Sequence, residues 1–111
     1  MDPVTAFTAT VDHDPDGTPV VVLSGQLDLT TAKSAEHAFA TLVATGPDGR
    51  PPVADGVVVD MTELTFMDST GLTVLLMAVN RGHAVQLRRP TTLVRRLIDA
   101  TGLGEILPVE P

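Results

Sequence analysis

The segment Phe66–Leu72, Phe-Met-Asp-Ser-Thr-Gly-Leu, joins a predicted buried strand directly to a predicted apolar helix. The valines at 57–59 are typical of an inner strand, whereas the residues after the segment have apolar side chains at helical spacing. Asp68, Ser69 and Thr70 therefore lie beside the free amides of a first helical turn, which can accept a cap or an anion. Any fold for this chain must contain such a strand-to-helix corner.

Alternating and apolar patterns elsewhere predict two strands followed by helices and strands in alternation. This order indicates a single mixed α/β domain with a largely parallel sheet, since strands joined through helices pair in parallel. We expect the domain to span residues 1–111, with its core at 5–109. The predicted elements are a half-exposed strand at 7–11, a hairpin loop at 13–19, an inner strand at 20–23, a helix from Asp28 or Thr30 to Gly46, a surface loop at 46–56, a strand at 57–60, a helix from the corner to Gly82, a strand at 84–87, a helix from Thr91 to Gly102 and a short last strand at 106–109.

Charge and composition narrow the class of partner. The formal net charge of −7 disfavours nucleic acid and an anionic membrane surface. Only 3% of the residues are aromatic and none is Cys, so we expect no base-stacking platform, disulfide or thiolate metal site. The N-terminus lacks a signal-peptide pattern, and no apolar run approaches the ~18 residues of a membrane span. We expect a cytoplasmic protein without a metal or cofactor, whose partners are proteins.

The corner has two interpretations from local chemistry. In the first, Asp68, Ser69 and Thr70 form an N-cap, in which a side-chain oxygen accepts from a free amide and contributes ~1 kcal/mol. In the second, Ser69 carries a phosphate of ~−1.5 to −2 charges that the helix N-terminus partly stabilises and that repels a partner packed over it. Gly71 removes a side chain where something approaches closely. Both interpretations stay open on these residues alone.

A catalytic serine has less support in the sequence. Ser69 would need a base, and neither the spacing nor the context of His13, His37 and His83 points to it. The chain has no Gly-x-Ser-x-Gly elbow and no Gly-x-x-x-x-Gly-Lys nucleotide loop. We therefore expect a binding protein and not an enzyme, with a small hydrolase that uses Ser69 as an alternative of a different class.

Two clusters of charged residues stand out, and we expect both to be solvated surface. The basic cluster surrounds the third predicted helix, and a secondary contact for an acidic partner or an anion is its alternative function. The acidic cluster lies around the hairpin loop and lacks the closing glutamate of a calcium loop. The two sets are Arg88, Arg89, Arg95 and Arg96, and Asp12, Asp14 and Asp16.

Three segments in this order resemble the STAS domain family, specifically the stand-alone anti-sigma factor antagonists of bacteria. Phe66–Leu72 resembles the family's signature, residues 23–28 (Leu-Ser-Gly-Gln-Leu-Asp) its Gly-Glu-Leu-Asp element, and residues 92–103 its last helical segment. Gln26 stands where Glu is usual, and the loop at 46–56 looks longer than is typical. The resemblance implies a STAS fold, with the helices packed on one face of the sheet.

The resemblance also implies a phosphorylation switch at the corner. In the family the hydroxyl residue after the motif Asp is phosphorylated, and that residue here is Ser69. The unphosphorylated chain would bind an anti-sigma factor with a histidine-kinase-like ATPase fold and release a sigma factor; phosphorylation would end this binding, and a serine phosphatase would restore it. The alternative is a non-phosphorylated STAS subunit of a transport complex or signalling assembly. The implied partner-binding residues are Asp28, which lies near the phosphoacceptor in the family, with Asp68, Ser69, Thr70, Gly71, Leu72 and Thr73, the exposed side of the second helix and the start of the first.

Overall fold

The computed structural model describes residues 7–44, 56–80 and 84–110, the side chains at 42–44 excepted. The helix stops predicted at Gly46 and Gly82, the loop at 46–55 and His83 lie outside the described residues. In chain order the elements are β1 (Thr8–His13), β2 (Pro19–Leu27), α1 (Ala32–Ala44), β3 (Val57–Met67), α2 (Ser69–Asn80), β4 (Val85–Arg88) and α3 (Thr92–Thr101).

The strands form one sheet in the order β1-β2-β3-β4. β1 and β2 make an antiparallel hairpin, whereas the pairs β2–β3 and β3–β4 are parallel. Each parallel pair is connected through a helix, since α1 follows β2 and α2 follows β3. The predicted mixed, mostly parallel α/β sheet is therefore confirmed.

The core lies between this sheet and the helices. Val57, Val59 and Met61 of β3 are fully buried within it. Val20 and Val58 are buried as well but stand apart from this cluster, and the alternation of side chains along a strand places them on the opposite face. The helices thus cover one face of the sheet, as predicted. Their buried core residues include Ala35 and Phe39 from α1, Leu72, Leu75 and Ala78 from α2, and Val94 and Ile98 from α3.

Two strands extend beyond their predicted ends. β2 continues to Leu27 and β3 to Met67, whereas the apolar runs predicted ends at residues 23 and 60. The register between them shifts on each side of Ser24–Gly25, so the alternation that marks a strand is interrupted there. Gly25 has a φ of 92°, a left-handed value that favours glycine. The predicted strands were too short because polar residues and the irregular pairing interrupt the apolar pattern in the second part of each strand.

The third helix has the caps that its sequence predicts. The Oγ1 atom of Thr91 accepts from the amide of Val94 at 3.3 Å, which satisfies one free amide of the first turn. Gly102 ends the helix with a φ of 71°. Within the described ranges, no helix has both the length and the hydropathy to cross a lipid bilayer.

The C-terminal residues cover the outer edge of β4, but the strand predicted at 106–109 does not form. Leu87 and Val109 make an isolated bridge. The amide of Leu87 donates to Pro108 at 2.8 Å, and the amide of Glu110 donates to Leu87 at 2.9 Å. The preceding residues turn around the carbonyl of Leu103, which accepts two amides, so no extended strand is possible before this bridge.

Arg88 corrects the expectation that both charged clusters are merely solvated. Its Nη2 atom lies 2.8 Å from Oδ2 of Asp14, and its Nε atom donates to Glu110. One guanidinium group thereby joins the hairpin loop, β4 and the C-terminal segment. Arg95 and Arg96, in contrast, are exposed as predicted.

Candidate functional site

The candidate site lies at one edge of the sheet, where β2 and β3 end side by side. Leu27 and Met67 are register partners in the parallel ladder, so the residue after each strand begins a turn at the same edge. The amide of Asp68 also donates to the carbonyl of Leu27 at 3.4 Å. The predicted site residues Asp28 and Asp68 are thus the first residues after two neighbouring strands.

Asp68 is the residue that caps α2. Its Oδ1 atom accepts from the amide of Thr70 at 2.9 Å and from the amide of Gly71 at 3.3 Å. Its own carbonyl accepts from the amide of Leu72, which is the first bond of the helix. The capping interpretation is therefore correct for the carboxylate, and the cap makes no use of a hydroxyl group.

Ser69 is exposed, and its hydroxyl group has no hydrogen-bond partner within the described part of the chain. The residue is the first of α2, so its side chain stands at the end of the helix where the amides are concentrated. Its carbonyl accepts from Oγ1 of Thr73 at 3.0 Å, which orients that exposed neighbour one turn along the helix. The serine hydroxyl is accessible for covalent modification.

Asp28 holds a second turn beside the first. Its Oδ1 atom accepts from the amide of Thr30 at 2.9 Å and from Oγ1 of Thr30 at 2.7 Å. These hydrogen bonds, the hydroxyl bond above all, lower the pKa of Asp28 below its ordinary value and keep the group charged. Oγ1 of Thr31 donates to the carbonyl of Gln26 at 2.7 Å. Helix α1 begins only at Ala32, so the start predicted at Asp28 or Thr30 was too early.

Gly71 and Leu72, two of the predicted partner-binding residues, are buried, so neither presents a side chain on the surface. A Cβ atom on Gly71 would stand 2.5 Å from Cγ of Met67 and 2.8 Å from Cγ of Leu27. The close approach predicted at this glycine is therefore made by the ends of β2 and β3. Both residues act on the surface only indirectly, because they hold the first turn of α2 against the sheet.

Two exposed apolar residues border this edge and were not anticipated. Leu29 is 79% exposed in the turn after Asp28, and Phe66 is 39% exposed one residue before the end of β3. Phe66 is the register partner of Gln26, so each of these residues lies one position before the end of its strand. Leu29 could have been noticed as an apolar residue inside a polar turn, whereas Phe66 resembled a core residue.

His13 is separated from Ser69 by the topology of the sheet. His13 pairs with Pro19 at the start of β2, which is the opposite end of the sheet from the corner. His37 lies on the exposed part of α1. In the portion of the chain that the structure describes, no three His, Cys, Asp or Glu side chains converge as a metal site would require. The corner thus presents the hydroxyl group of Ser69 on an exposed part of the surface.

Comparisons with known proteins identify the family and the fold of the chain. A family model described as "Mlab, STAS domain" matches residues 10–108. The crystal structure of an anti-sigma factor antagonist from Mycobacterium paratuberculosis superposes with a TM-score of 0.77 at 28% identity, covering 100% of this chain and 91% of that one. No curated protein matches the sequence.

Two further solved structures share the fold at lower identity. The Bacillus cell fate determinant SpoIIAA in its phosphorylated form gives a TM-score of 0.64 at 21% identity, covering 96% of this chain and 92% of its own. An anti-sigma-factor antagonist (STAS) domain protein from Planctomyces limnophilus gives 0.63 at 19% identity, with 95% and 90% covered. Since the family model covers most of the sequence, the chain belongs to the STAS domain family.

Proposed function

We propose that this STAS domain is an anti-sigma factor antagonist of the bacterial cytoplasm. In its unphosphorylated form it binds an anti-sigma factor that is also a serine kinase with a histidine-kinase-like ATPase fold, and so releases a sigma factor. Phosphorylation of Ser69 ends the binding, and a serine phosphatase restores it. The protein itself catalyses no reaction in this scheme.

The observation that carries the proposal is the division of labour between Asp68 and Ser69. The carboxylate satisfies two amides of the first turn, so the hydroxyl is not needed for capping. A kinase can therefore modify Ser69 without removing a stabilising hydrogen bond of the fold. The solved relative from Mycobacterium paratuberculosis, an anti-sigma factor antagonist, supports the same class of function.

Charge explains how the modification would act. A phosphate on Ser69 adds ~−1.5 to −2 charges next to Asp68, at an edge that also holds the ionised Asp28. The helix N-terminus offsets part of this charge within the folded domain, so the fold tolerates it. A partner packed over the corner must instead desolvate a dianion between two carboxylates, which is unfavourable.

The proposed docking surface follows the exposed stripe of α2 and the turn before α1. Thr73 and Asn80 are exposed and Leu76 and Met77 are half-buried, at positions that share one side of the helix with Ser69. Leu29 adds apolar area in the turn before α1. Such a mixed surface, with exposed apolar anchors inside a polar rim, is typical of a regulated protein–protein contact.

Intact-mass measurement after incubation with ATP and the cognate anti-sigma factor tests the proposal. We expect a gain of one phosphate in the natural chain and none in Ser69→Ala. Ser34→Ala is the matched control, because Ser34 is an exposed serine on α1, outside the Asp68-Ser69-Thr70 segment. Equal labelling of Ser69→Ala would show that the site assignment is wrong and would make Thr70 the first residue to test.

A second candidate function follows from the description of the family model, which names Mlab and not an anti-sigma factor antagonist. In that case the chain is a STAS subunit of a transport complex or signalling assembly and uses the same surface without phosphorylation. Co-purification with a membrane ATPase, unchanged in Ser69→Ala, would favour this candidate. Loss of binding in Ser69→Asp but not in Ser69→Ala would favour the switch.

A further inference from the structure

The two outer strands of the sheet, β1 and β4, differ in the hydrogen bonding of their outer edges. At the β4 edge, the C-terminal segment bonds to Leu87 on both its amide and its carbonyl, and the bridge with Val109 covers the strand. At the β1 edge, no residue of the described ranges forms a ladder with the outer side of Thr8–His13. An exposed strand edge with unpaired amides and carbonyls can bind another extended chain.

An open groove of about 550 Å³ runs beside this uncovered edge, between β1 and α1. Phe7 and Ala9 line its floor and are half-buried against the core, so the floor is apolar. Lys33 and His37, one turn apart on α1, form the opposite wall. A strand added to β1 would direct every second side chain into this groove.

The wall of the groove is basic in an otherwise acidic protein. Lys33 is the only lysine of the sequence, whose formal net charge is −7. It makes no ion pair with any of the described residues, and no Asp or Glu lines the groove. A cation that no described residue pairs with, beside a strand edge that no described residue covers, favours an acidic ligand by charge complementarity.

We propose that this groove binds an extended acidic segment of a partner protein as a fifth strand, antiparallel or parallel to β1. Main-chain hydrogen bonds to the outer edge of β1 supply the register, and a small apolar side chain contacts Ala9 on the floor. A carboxylate two residues further along meets Lys33. The added strand would pair with β1, whereas the corner follows β3 on the far side of β2, so we expect binding at this site to be independent of the phosphorylation of Ser69.

A labelled octapeptide with the sequence Val-Ser-Glu-Ser-Val-Ser-Glu-Ser, which places valine and glutamate in turn on one face of a strand, is the probe, with fluorescence anisotropy as the measurement of affinity. We expect saturable binding to the full chain, and binding at least about tenfold weaker for the same peptide with lysine in place of glutamate. Amide chemical shifts in an NMR titration should change mainly along Thr8–His13. Equal affinity for both peptides, or shifts confined to α2, would overturn the proposal.

Two protein variants test the role of charge. Lys33→Glu should weaken binding of the acidic peptide about five- to tenfold, because a favourable exposed pair becomes a repulsive one. Arg96→Glu makes the same change of charge on the exposed face of α3 and should leave the affinity within about twofold. Equal losses in the two variants would mean that only net charge is sensed, and would contradict a site in the groove.

Selective methylation of the peptide tests the added strand. In a β-ladder only alternate amides point to the neighbouring strand, so N-methyl groups on one alternate set should abolish binding and those on the other set should not. Equal effects of both sets would show that the peptide does not extend the sheet. If the free chain instead self-associates with the β1 amides as the contact, the occupant is a second copy and the proposal is wrong. Each measurement repeated in Ser69→Ala should give the same result, which separates this proposal from the phosphorylation switch.

Discussion

Two neighbouring turns of this molecule share a sequence pattern but differ in which of their hydroxyl groups form hydrogen bonds. Asp28-Leu29-Thr30 follows β2 and Asp68-Ser69-Thr70 follows β3, and in both the aspartate Oδ1 accepts from the threonine amide at 2.9 Å. In the first turn the Thr30 hydroxyl also donates to the carboxylate, at 2.7 Å. In the second turn the described residues offer the Ser69 and Thr70 hydroxyls no side-chain partner.

The difference teaches that an aspartate can complete a turn alone and leave an adjacent hydroxyl for another purpose. The residue between aspartate and threonine is exposed in both turns, a leucine in one and a serine in the other. The first turn therefore presents an apolar contact and the second a group that can be modified. Because the two strands pair at their ends, a single partner can touch both.

The third residue after each aspartate gives the largest expected contrast in stability. This residue is Thr31 in one turn and Gly71 in the other. A Cβ atom added at Gly71 would lie 2.5 Å from Cγ of Met67. Gly71→Ala should lower the free energy of unfolding by about 1–3 kcal/mol, measured by urea denaturation. Gly104→Ala is the matched control, because a Cβ there meets nothing within 4 Å, and should stay within about 0.5 kcal/mol. Equal losses would contradict the close packing at the corner.

Replacing each aspartate with alanine should reveal a second difference in stability between the two turns. Asp68→Ala deprives two amides at the start of α2 of their acceptor, and we expect a loss of about 1 kcal/mol in the free energy of unfolding. Asp28→Ala should cost less, because its turn is solvated and Thr31, not Asp28, directly precedes α1. Thermal and urea unfolding of both variants would check the order. A greater loss for Asp28→Ala would mean that its turn is the more important support.

Removing the threonine hydroxyl of each turn should give a smaller difference in stability between the turns. Thr30→Val removes a hydroxyl that donates to Asp28, so we expect a loss of about 0.5–1 kcal/mol in stability. Thr70→Val removes a hydroxyl without a partner among the described residues, and should change stability by less than about 0.5 kcal/mol. Paired urea titrations resolve the difference. If both substitutions were neutral, the turns would not differ in hydroxyl use as the geometry indicates.

The smallest expected effect is the dependence of stability on pH through the carboxyl group of Asp28. The hydrogen bonds from Thr30 lower the pKa of Asp28 from its ordinary 3.8, so the folded state prefers the ionised group. The contribution of Asp28 is therefore present above about pH 4 and is lost as the pH falls through the lowered pKa. We expect the difference in urea midpoint between the natural chain and Asp28→Asn to shrink between pH 6 and pH 3. A difference that grows on acidification would reverse the sign of this linkage.

Much of the fold could be predicted because its signals are local. Helix α3 was marked by Thr91 and Gly102, and the order of strands and helices indicated a parallel sheet before any contact was known. The ends of β2 and β3 were missed, since their pairing is irregular around Gly25. The last predicted strand is a single bridge, because the turn closed at Leu103 uses the residues before it.

The position of the candidate corner between a strand and a helix could be predicted, but not the hydrogen bonds that each of its residues makes. The motif and its neighbours pointed to Ser69, yet only atomic positions distinguish the capping oxygen of Asp68 from an uncommitted hydroxyl. The exposed Leu29 was not anticipated, although it is an apolar residue inside a polar turn. The ion pair between Arg88 and Asp14 was not anticipated because it depends on how distant segments pack. Periodicity reports which face of an element is apolar and does not report which charges meet across the fold.

The arginine that ties the hairpin loop to the C-terminal segment bears on the order in which the chain folds and unfolds. Arg88 is separated from Asp14 by 74 positions and from Glu110 by 22, so we expect the larger loop to close after the strands between have assembled. Interactions that form late are absent from the folding transition state and act on the rate of unfolding. Arg88→Ala should therefore accelerate unfolding and leave the refolding rate almost unchanged, which makes this residue a determinant of the lifetime of the native state and not of its formation.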